Sequence, residues 1–460
     1  MTEYRTESDT LGDVQVPKNA LWGAQTERSR HNFPVGPLMP VQVIRALLVI
    51  KRAAAQVNDK DQKLAPEKAA AIATSVDQLL DLDDAALMQD FPLHVYQTGS
   101  GTQTNMNVNE VITHVVQQNQ PDLTVQPNDD VNASQSSNDT FPTAMNMAAY
   151  QAVQALMSPL QHLITAFQQL ESKYQVVVKI GRTHLQDATP LTFDQEVSGW
   201  RSTLQRDQQA LQENAQGLLE LPIGGTAVGT GLNTPAGFDE QMVQALSQAQ
   251  EVHYRVGNKF AGLSAHSALL NTHGAVRTLA SDLLKIANDI RFLASGPRAG
   301  YGELTIPANE PGSSIMPGKV NPTQAEAMTM AATRIMGNDT TLTVANSQGN
   351  FEMNVYKPVM IATFLESVGL LTDLLPNFTD KMVSGIQVNR ERMQQLVDSS
   401  LMTVTALSPH IGYHHAAEIA NQAAQANENL RDAALASGYL TAAEFDQWVN
   451  PLRMTNYDRD

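Results

Sequence analysis

The composition of this 460-residue chain, 42% hydrophobic and 17% charged, is typical of a folded globular protein and not of a disordered one. Its 30 Lys and Arg residues against 47 Asp and Glu residues give a formal net charge of −17, which argues against nucleic acid and anionic membranes as partners. Because the chain contains no cysteine, disulfides, thiolate nucleophiles and cysteine-ligated metal centres are excluded.

The N-terminal sequence predicts no targeting or membrane segment. Residues 1–16 are polar and acidic, and the most apolar early run, residues 41–50, is interrupted by Gln42 and Arg45. We therefore expect a cytoplasmic protein in a bacterium, or a matured organellar one.

Three regions are predicted in chain order, as a length of 460 residues at roughly 150 residues per domain suggests. They are a mixed, mostly helical N-terminal region over residues 1–135, a central long-helix region over 136–390 and a small C-terminal helical region over 391–460. Stretches rich in Gly, Ser, Asn and Pro predict loops at residues 98–109, 127–140, 224–237 and 295–322.

Two apolar seams at helical spacing predict long helices in the central region. Pro159 lies inside the first seam and is expected to kink that helix, because the apolar register continues on both sides of it. The length of both helices suggests a bundle that continues across subunits. The seams comprise Ala149, Val153, Leu156, Leu160, Leu163, Phe167 and Leu170, and then Phe193, Val197, Trp200, Leu204 and Leu211.

The most specific motif is Gly-Ser-Ser-Ile-Met-Pro-Gly-Lys-Val-Asn-Pro at residues 312–322. Gly and Ser supply a mobile backbone with several donors, and Lys319 and Asn321 can face an anion. Since the net charge repels anions at long range, a site for one has to be built from such local groups. From this loop alone, a plain surface turn with a solvated lysine is an equally good interpretation.

Three further polar segments contain groups that could bind or react. They are Thr-Gly-Ser-Gly-Thr-Gln-Thr-Asn-Met-Asn at 98–107, Ser-Gln-Ser-Ser-Asn-Asp-Thr at 134–140 and Gly-Arg-Thr-His-Leu-Gln-Asp at 181–187. The second segment precedes a predicted helix, where hydroxyl and amide side chains are ordinary N-caps. A lone histidine such as His184 in a polar loop is more often structural or solvated than catalytic.

Together these segments resemble the fumarase/aspartase superfamily, homotetrameric lyases that make or consume fumarate, over essentially the whole chain. Gly318 and Val320 are similar to class II fumarases, whereas aspartases usually carry Ala at the first of these positions. The run at 98–107 is also similar to class II fumarases. The resemblance implies a mainly α, three-domain subunit whose central long-helix bundle forms a tetrameric helical core.

The activity that the resemblance implies is the reversible hydration of fumarate to L-malate, a step of the citric acid cycle, without a metal or other cofactor. It implies that Ser313 is the base that removes a proton from carbon. It also implies that His184, paired with Glu326, handles the water. The substrate-binding residues implied in the same way are Ser100, Gly101, Thr102, Ser136, Ser137, Asn138, Thr183, Ser314, Lys319, Val320 and Asn321.

These residues come from three separated stretches, near residue 100, at 135–185 and at 312–326, which in the family belong to three different subunits. We therefore expect a homotetramer with shared active sites. Class II fumarases also have a second dicarboxylate site, with a basic residue and a histidine before Pro-Asn-Asp. Here Gln126 stands where that histidine is expected, so Gln126, Pro127, Asn128 and Asp129 carry this second site only weakly.

Two alternatives to a fumarase stay open at this point. One is aspartase, which eliminates ammonia and not water, and the other is a non-catalytic structural member of the same fold. A metal site at His410, His414 and His415 is not favoured, because Gly412 interrupts the helical spacing and no acidic partner has the usual spacing. The glycine-rich run at 224–231 fits no nucleotide-binding motif and resembles an interhelical loop of the family.

Overall fold

The computed structural model describes residues 3–457, and these residues are mainly helical, as the sequence predicts. The N-terminal helices are α1 (Ala24–Asn32), α2 (Val41–Lys60), α3 (Pro66–Leu80), α4 (Asp84–Leu87) and α5 (Thr102–Asn119). The central helices are α6 (Ser137–Lys173), α7 (Phe193–Ala215), α8 (Phe238–Gln250), α9 (Lys259–Ser264), α10 (Ser267–Leu293), α11 (Thr323–Asn346) and α12 (Lys357–Lys381). The C-terminal helices are α13 (Arg390–Ser399), α14 (Ser408–Ile411), α15 (Tyr413–Ala426), α16 (Leu430–Ser437), α17 (Ala442–Trp448) and α18 (Pro451–Met454).

The strands pair only two at a time. Antiparallel pairs join β1 (Tyr4–Asp9) to β2 (Gly12–Pro17) and β3 (Val178–Thr183) to β4 (Gln186–Thr192). A short parallel pair joins β5 (Glu220–Leu221) to β6 (Arg255–Val256), and an antiparallel pair joins β7 (Leu304–Thr305) to β8 (Gln387–Val388).

The chain divides into two compact units, each assembled from separate stretches. The first contains the residues up to Met157 together with Gln209–Thr278 and Thr333–Leu371, and the second contains Ser158–Gln208, Leu279–Ala332 and the chain from Thr372. Helices α6, α7, α10, α11 and α12 each contribute residues to both units. The three regions expected from the sequence, with boundaries at residues 135 and 390, stay a prediction.

Both predicted seams belong to long helices and are buried. Helix α6 continues through Pro159, and α7 begins at Phe193, the first residue of the second seam. Every seam position is at most 4% exposed within the single chain. The seams themselves are therefore covered without a second subunit, and the expectation of a tetramer rests on the family resemblance.

The predicted loops are partly wrong near the N-terminus. Helix α5 begins at Thr102, so most of residues 98–109 is helical, and α6 begins at Ser137 inside the predicted loop 127–140. The polar composition was misleading because Asn105, Asn107 and Asn109 are buried and hydrogen-bonded within the fold. Residues 224–237 and most of 295–322 lie between helices, as predicted.

Helix α12 begins a stretch that, by length and composition alone, is apolar enough to cross a membrane. More than half of this stretch is buried inside the protein, as in a core helix. The C-terminal helices enclose their own small apolar cluster, which includes Leu407, Ile419 and Ala433.

Candidate functional site

The segments at 98–107 and 134–140 meet through their hydroxyl groups in the first unit. The oxygen of Thr102 lies 2.8 Å from that of Ser100 and 2.7 Å from that of Ser137. Thr102 and Ser137 are the first residues of α5 and α6, so this hydroxyl cluster lies at two helix N-termini. Free backbone N–H groups and the helix dipole favour an anion there, and Ser100, Thr102 and Ser137 are only half-buried.

Asp139 connects this cluster to the glycine-rich loop. Its carboxylate accepts hydrogen bonds from the backbone N–H groups of Ser136 at 3.0 Å and of Gly224 and Thr226 at 2.9 Å each. Next to it, the Asn138 amide donates to the carbonyl of Ala227 at 2.8 Å. The glycine-rich run at 224–231 is thus docked on the start of α6, and it has a structural role in holding the polar turn that precedes that helix.

In the second unit, His184 lies at the tip of the β3–β4 hairpin. His184 and Leu185 have φ angles of 56° and 58°, and Thr183 pairs with Gln186 across the two-residue turn. Two consecutive left-handed residues are the requirement of a type I′ turn, whose twist matches that of the flanking strands. The turn holds the imidazole of His184 in solvent at a fixed position.

Glu303, a fully buried carboxylate, anchors the base of this hairpin. Its oxygens lie 2.5 Å from the guanidinium of Arg182 and 3.2 Å from the ammonium of Lys179, both on β3. Lys179 also pairs with Glu196 at 2.9 Å. Because Glu303 belongs to the segment that leads into the motif at 312–322, one carboxylate fixes two elements that carry candidate residues.

The segment 312–321, called the signature loop below, closes on itself. The N–H of Gly312 donates to the carbonyl of Lys319 at 2.8 Å, and the amide of Asn321 donates to the carbonyl of Gly312 at 2.7 Å. The Ser313 oxygen accepts from the N–H groups of Ile315 at 3.2 Å and Met316 at 3.1 Å. Two N–H donors at one hydroxyl oxygen lower the free energy of its deprotonated form.

The conformation of Gly318 gives a physical reason for glycine at the position where aspartases usually carry alanine. Its φ is +82°, in the left-handed region, and no atom lies within 4 Å of the position that a Cβ would take. Alanine would therefore fit sterically but would strain the backbone, at a cost of roughly 1 kcal/mol. The preference for glycine over alanine at this position reflects the conformation of the loop.

The remaining predicted residues are exposed in the second unit. Ser314, Lys319, Val320 and Glu326 all face solvent, with Glu326 in the first turn of α11. Among the described residues, His184 and Glu326 form no ion pair with each other or with any other side chain. The predicted pairing of the two is thus not made within one chain.

Three of the four residues predicted for a second dicarboxylate site lie on the wall of a cavity of about 610 Å³. Gln126 and Asn128 line it together with Glu7 and Asp9. The hydrogen bond from His114 lowers the pKa of Glu7 to about 2, and the Arg28 guanidinium lowers that of Asp9. Each of these carboxylates is paired with a guanidinium, Glu7 with that of Arg5 and Asp9 with that of Arg28, so neither guanidinium is free to bind a dianion.

The C-terminal histidines have aromatic and acidic neighbours. The rings of His410 and Trp448 stack at 4.1 Å, and His414 and His415 lie 3.2 and 3.3 Å from Glu418. Gly412 separates α14 from α15, as the sequence indicated. No group of residues with metal-binding geometry occurs among residues 3–457.

Two lysines close to the hydroxyl cluster were not among the residues predicted from the sequence. Lys51 and Lys357 are both fully buried in the first unit and interact electrostatically with Asp139. The signal for Lys51 was available, because it falls on the same helical stripe as Ile44, Leu47 and Leu48, all of which are buried. Lys357 starts a helix and carried no comparable signal.

Comparison with known proteins places this arrangement in a class. Residues 12–337 match the family model described as Lyase, and residues 404–456 match the one described as Fumarase C C-terminus. The crystal structure of class II fumarase from Schistosoma mansoni is similar over 100% of both chains, with a TM-score of 0.96 and 41% sequence identity. The fold is that of the fumarase-type lyases, which confirms the predicted fold class.

Curated relatives identify the family to which the chain belongs within this class of lyases. The class II fumarate hydratase of Listeria monocytogenes is 53% identical over 455 residues, covering 98% of this chain and 99% of the relative. That of Oceanobacillus iheyensis is 50% identical over 460 residues, with the same coverage. The chain belongs to the class II fumarate hydratase family, and the recognition based on Gly318, Val320 and residues 98–107 is confirmed.

Proposed function

We propose that this protein hydrates fumarate to L-malate reversibly, with the residues that the family resemblance singled out. The hydroxyl cluster of Ser100, Thr102 and Ser137 is the observation that supports this most directly. It brings two separate motifs together at two helix N-termini, where a carboxylate of the substrate would be bound by hydroxyl and N–H donors. Such a local anion site is what a chain of charge −17 needs for a dicarboxylate.

The barrier of the reaction is the carbanion formed beside a carboxylate. Removing the proton from that carbon places a second negative charge on the carboxylate, and donors that tighten on it lower the barrier. Lys319, Asn321, Thr102 and Asn138 are the side chains proposed for this role. They provide one positive charge, two amides and a hydroxyl. These groups are sufficient to stabilise the added negative charge, and the step involves no redox reaction and no group transfer.

Ser313 is the proposed base that takes the proton from carbon. A serine alkoxide is costly to form, and the N–H groups of Ile315 and Met316, which donate to its oxygen, offset part of that cost. On the opposite face, His184 with Glu326 delivers water to fumarate or accepts it from malate. A carboxylate beside the imidazole favours its protonated form.

The complete site is proposed to form in a homotetramer, from segments of different subunits. This is supported by the exposure of His184 and Glu326, which have no partner among the described residues, and by the exposed apolar side chains of the signature loop. Ile315 is 83% exposed and Met316 is 49% exposed in the single chain. Burial of such exposed apolar side chains, against another subunit or by closure of the signature loop over the site, would be favourable.

The second dicarboxylate site at Gln126, Pro127, Asn128 and Asp129 stays a weak prediction. Glu7 and Asp9 on the cavity wall already occupy the guanidinium groups of Arg5 and Arg28, which argues against a dianion there. We therefore expect calorimetric titration with succinate to give one site per subunit. A cytoplasmic location is proposed with the activity, since its substrates are soluble metabolites.

The proposal is tested by following the ultraviolet absorbance of fumarate with purified protein in EDTA. L-malate is supplied in one cuvette and L-aspartate in another. Fumarate from malate alone supports a metal-independent fumarate hydratase. Fumarate from aspartate would transfer the activity to aspartase, and no fumarate in either cuvette would favour a non-catalytic member of the fold.

A further inference from the structure

Two fully buried lysines lie behind the turn that carries Ser136, Ser137 and Asn138. Lys51, on α2, and Lys357, the first residue of α12, are both 0% exposed. A buried ammonium is costly unless it is paired or hydrogen-bonded. Neither lysine forms an ion pair within the part of the chain that the structure describes, so hydrogen bonds have to compensate for the burial of each ammonium.

Lys51 is bonded to the turn itself. Its ammonium donates to the side-chain oxygens of Asn132 and Gln135, at 2.9 Å each. Asn132 also accepts from Asn105 at 3.1 Å, and Asn105 accepts from Thr140 at 3.1 Å. Lys51 is therefore one end of a hydrogen-bonded network that fixes the turn between residues 132 and 140.

Lys357 contacts the other loop of the site through its backbone and not through its ammonium. Its backbone N–H donates to the carbonyl of Gly99 at 3.1 Å, and a Cβ on Gly99 would fall 1.4 Å from the carbonyl oxygen of Val355. Its ammonium donates to the sulfur of Met353 at 2.9 Å, a weak acceptor. This close approach holds the loop that carries Ser100 and Thr102 against the start of α12.

Both lysines interact electrostatically with one buried carboxylate, that of Asp139. Its three backbone N–H partners favour the ionised form although burial raises the pKa of this carboxyl. The other titratable group against Lys357 is His266, in which burial lowers the pKa to about 3, so it is neutral at pH 7. With both lysines protonated and Asp139 ionised, the buried cluster carries one excess positive charge.

We propose that Lys51 and Lys357 are positioning residues that give the dicarboxylate site this excess positive charge, acting through the two loops they hold and not by touching the substrate. The inference rests on the proposed function. The reaction adds one negative charge to the bound dicarboxylate, so a fixed positive charge in a low-dielectric environment stabilises the carbanion more than the substrate. It also supplies the local positive field that the acidic chain as a whole lacks.

The test replaces Lys51 by Met and by Arg, Lys357 by Met, and the exposed Lys60 of the same helix by Met as the control. The Lys51→Met and Lys357→Met variants should each lose activity about tenfold or more, mainly in kcat and with little change in KM for L-malate. The Lys51→Arg variant keeps the charge at every working pH and should recover much of the kcat. The Lys60→Met variant should match the wild type.

The pH profile separates a charge effect from a packing effect. Burial lowers the pKa of Lys51 to about 7 and that of Lys357 to about 8, so the wild-type kcat/KM should fall as these groups lose their protons. In the Lys51→Arg variant this alkaline limb should move to higher pH, because arginine keeps its proton. A variant that only disturbed packing would be slower at all pH values with an unchanged profile.

The outcomes are distinct. A folded Lys51→Met variant with wild-type kcat, or a Lys51→Arg variant as inactive as Lys51→Met, would overturn the inference. If the Lys51 variants fail to fold, Lys357→Met and the wild-type profile still decide it: a wild-type kcat in the former or a flat profile to pH 9 in the latter overturns it. Failure of the wild type to produce fumarate from L-malate would instead reject the proposed function.

Discussion

At the scale of single residues, the catalytic proposal depends on Ser313 and its backbone donors. The N–H groups of Ile315 and Met316 point at one oxygen in a loop that is closed by the bond between Gly312 and Lys319. This geometry is a property of consecutive residues, so it forms without contact to the rest of the site. The other proposed site residues supply an electrostatic field and bind the substrate.

Replacing Ser313 by Ala should abolish most of the turnover of L-malate. General-base catalysis contributes about 10² to 10⁴ in rate, and kcat should fall by that order with the fold unchanged. Steady-state kinetics and circular dichroism of the purified variant provide the measurement. The exposed Ser399, replaced by Ala, is the matched control. Near-normal turnover in Ser313→Ala would remove this residue as the base.

A second prediction at this scale concerns stability at low pH. Burial, and then the nearby charge of Lys357, lower the pKa of His266 to about 3 from its ordinary value of 6.5. The folded state resists a proton that the unfolded state binds, so this stability is present above pH 6.5 and is lost as the pH falls toward 3. Between pH 7 and pH 5 the loss is about 2 kcal/mol.

Urea unfolding of the wild type and of a His266→Gln variant at both pH values measures this effect. The variant should lose less stability than the wild type over the interval, because it has no group to protonate at that position. An equal loss in both proteins would show that His266 accepts a proton without penalty in the folded state.

At the scale of elements, the β3–β4 hairpin and the segment before the signature loop share one buried anchor. Glu303 is 0% exposed, and its ion pairs with Lys179 and Arg182 hold the strand whose end carries His184. The guanidinium of Arg182 also lies over the ring of Tyr301, 4.3 Å from its centroid. Within one chain, Glu303 therefore fixes two elements that each carry a proposed catalytic residue.

Replacing Glu303 by Gln should destabilise the protein and reduce turnover together. Arg182 would lose its counter-charge and Lys179 would keep only that of Glu196, and breaking a buried pair in this way costs roughly 3–5 kcal/mol. The unfolding midpoint in urea and kcat for L-malate are the quantities to measure. As a control, Glu366→Gln breaks the exposed pair with Arg334 and should change stability by less than about 1 kcal/mol. Similar small effects in both variants would contradict an anchoring role.

At the scale of the whole molecule, the proposed site residues are divided between two units. Ser100, Thr102 and Ser137 belong to the first unit, while His184 and Ser313 belong to the second. If different subunits contribute these groups, activity requires the tetramer. Light scattering and activity measured on serial dilution should then decline together, and an active monomer would contradict the proposal.

Mixing two inactive variants tests shared sites more directly. Ser313→Ala and His184→Ala subunits, unfolded together and refolded at equal amounts, should regain activity if the two residues of one site come from different chains. Random assembly restores both groups in about a quarter of the sites. Each variant refolded alone is the control. A mixture that stays inactive although it forms tetramers would mean that both residues come from one chain.

Much of this protein follows from its sequence alone. Apolar residues spaced three and four positions apart predicted α6 and α7, because helical periodicity is a local property. The loop at 312–322 identified the family. The sequence could not identify α5 as a buried helix, since its polar Asn105, Asn107 and Asn109 find partners only in distant segments.

Only the tertiary structure decided which of the polar and charged residues work together. Asp139 was not singled out in the sequence, and only the structure shows that it anchors the glycine-rich loop. Glu303 and Lys357 look like ordinary surface charges in the sequence, because a charged side chain is normally solvated, whereas Lys51 falls on the apolar stripe of α2. Their burial results from packing between segments far apart in the chain, and it is burial that makes a single charge strong enough to shape a site.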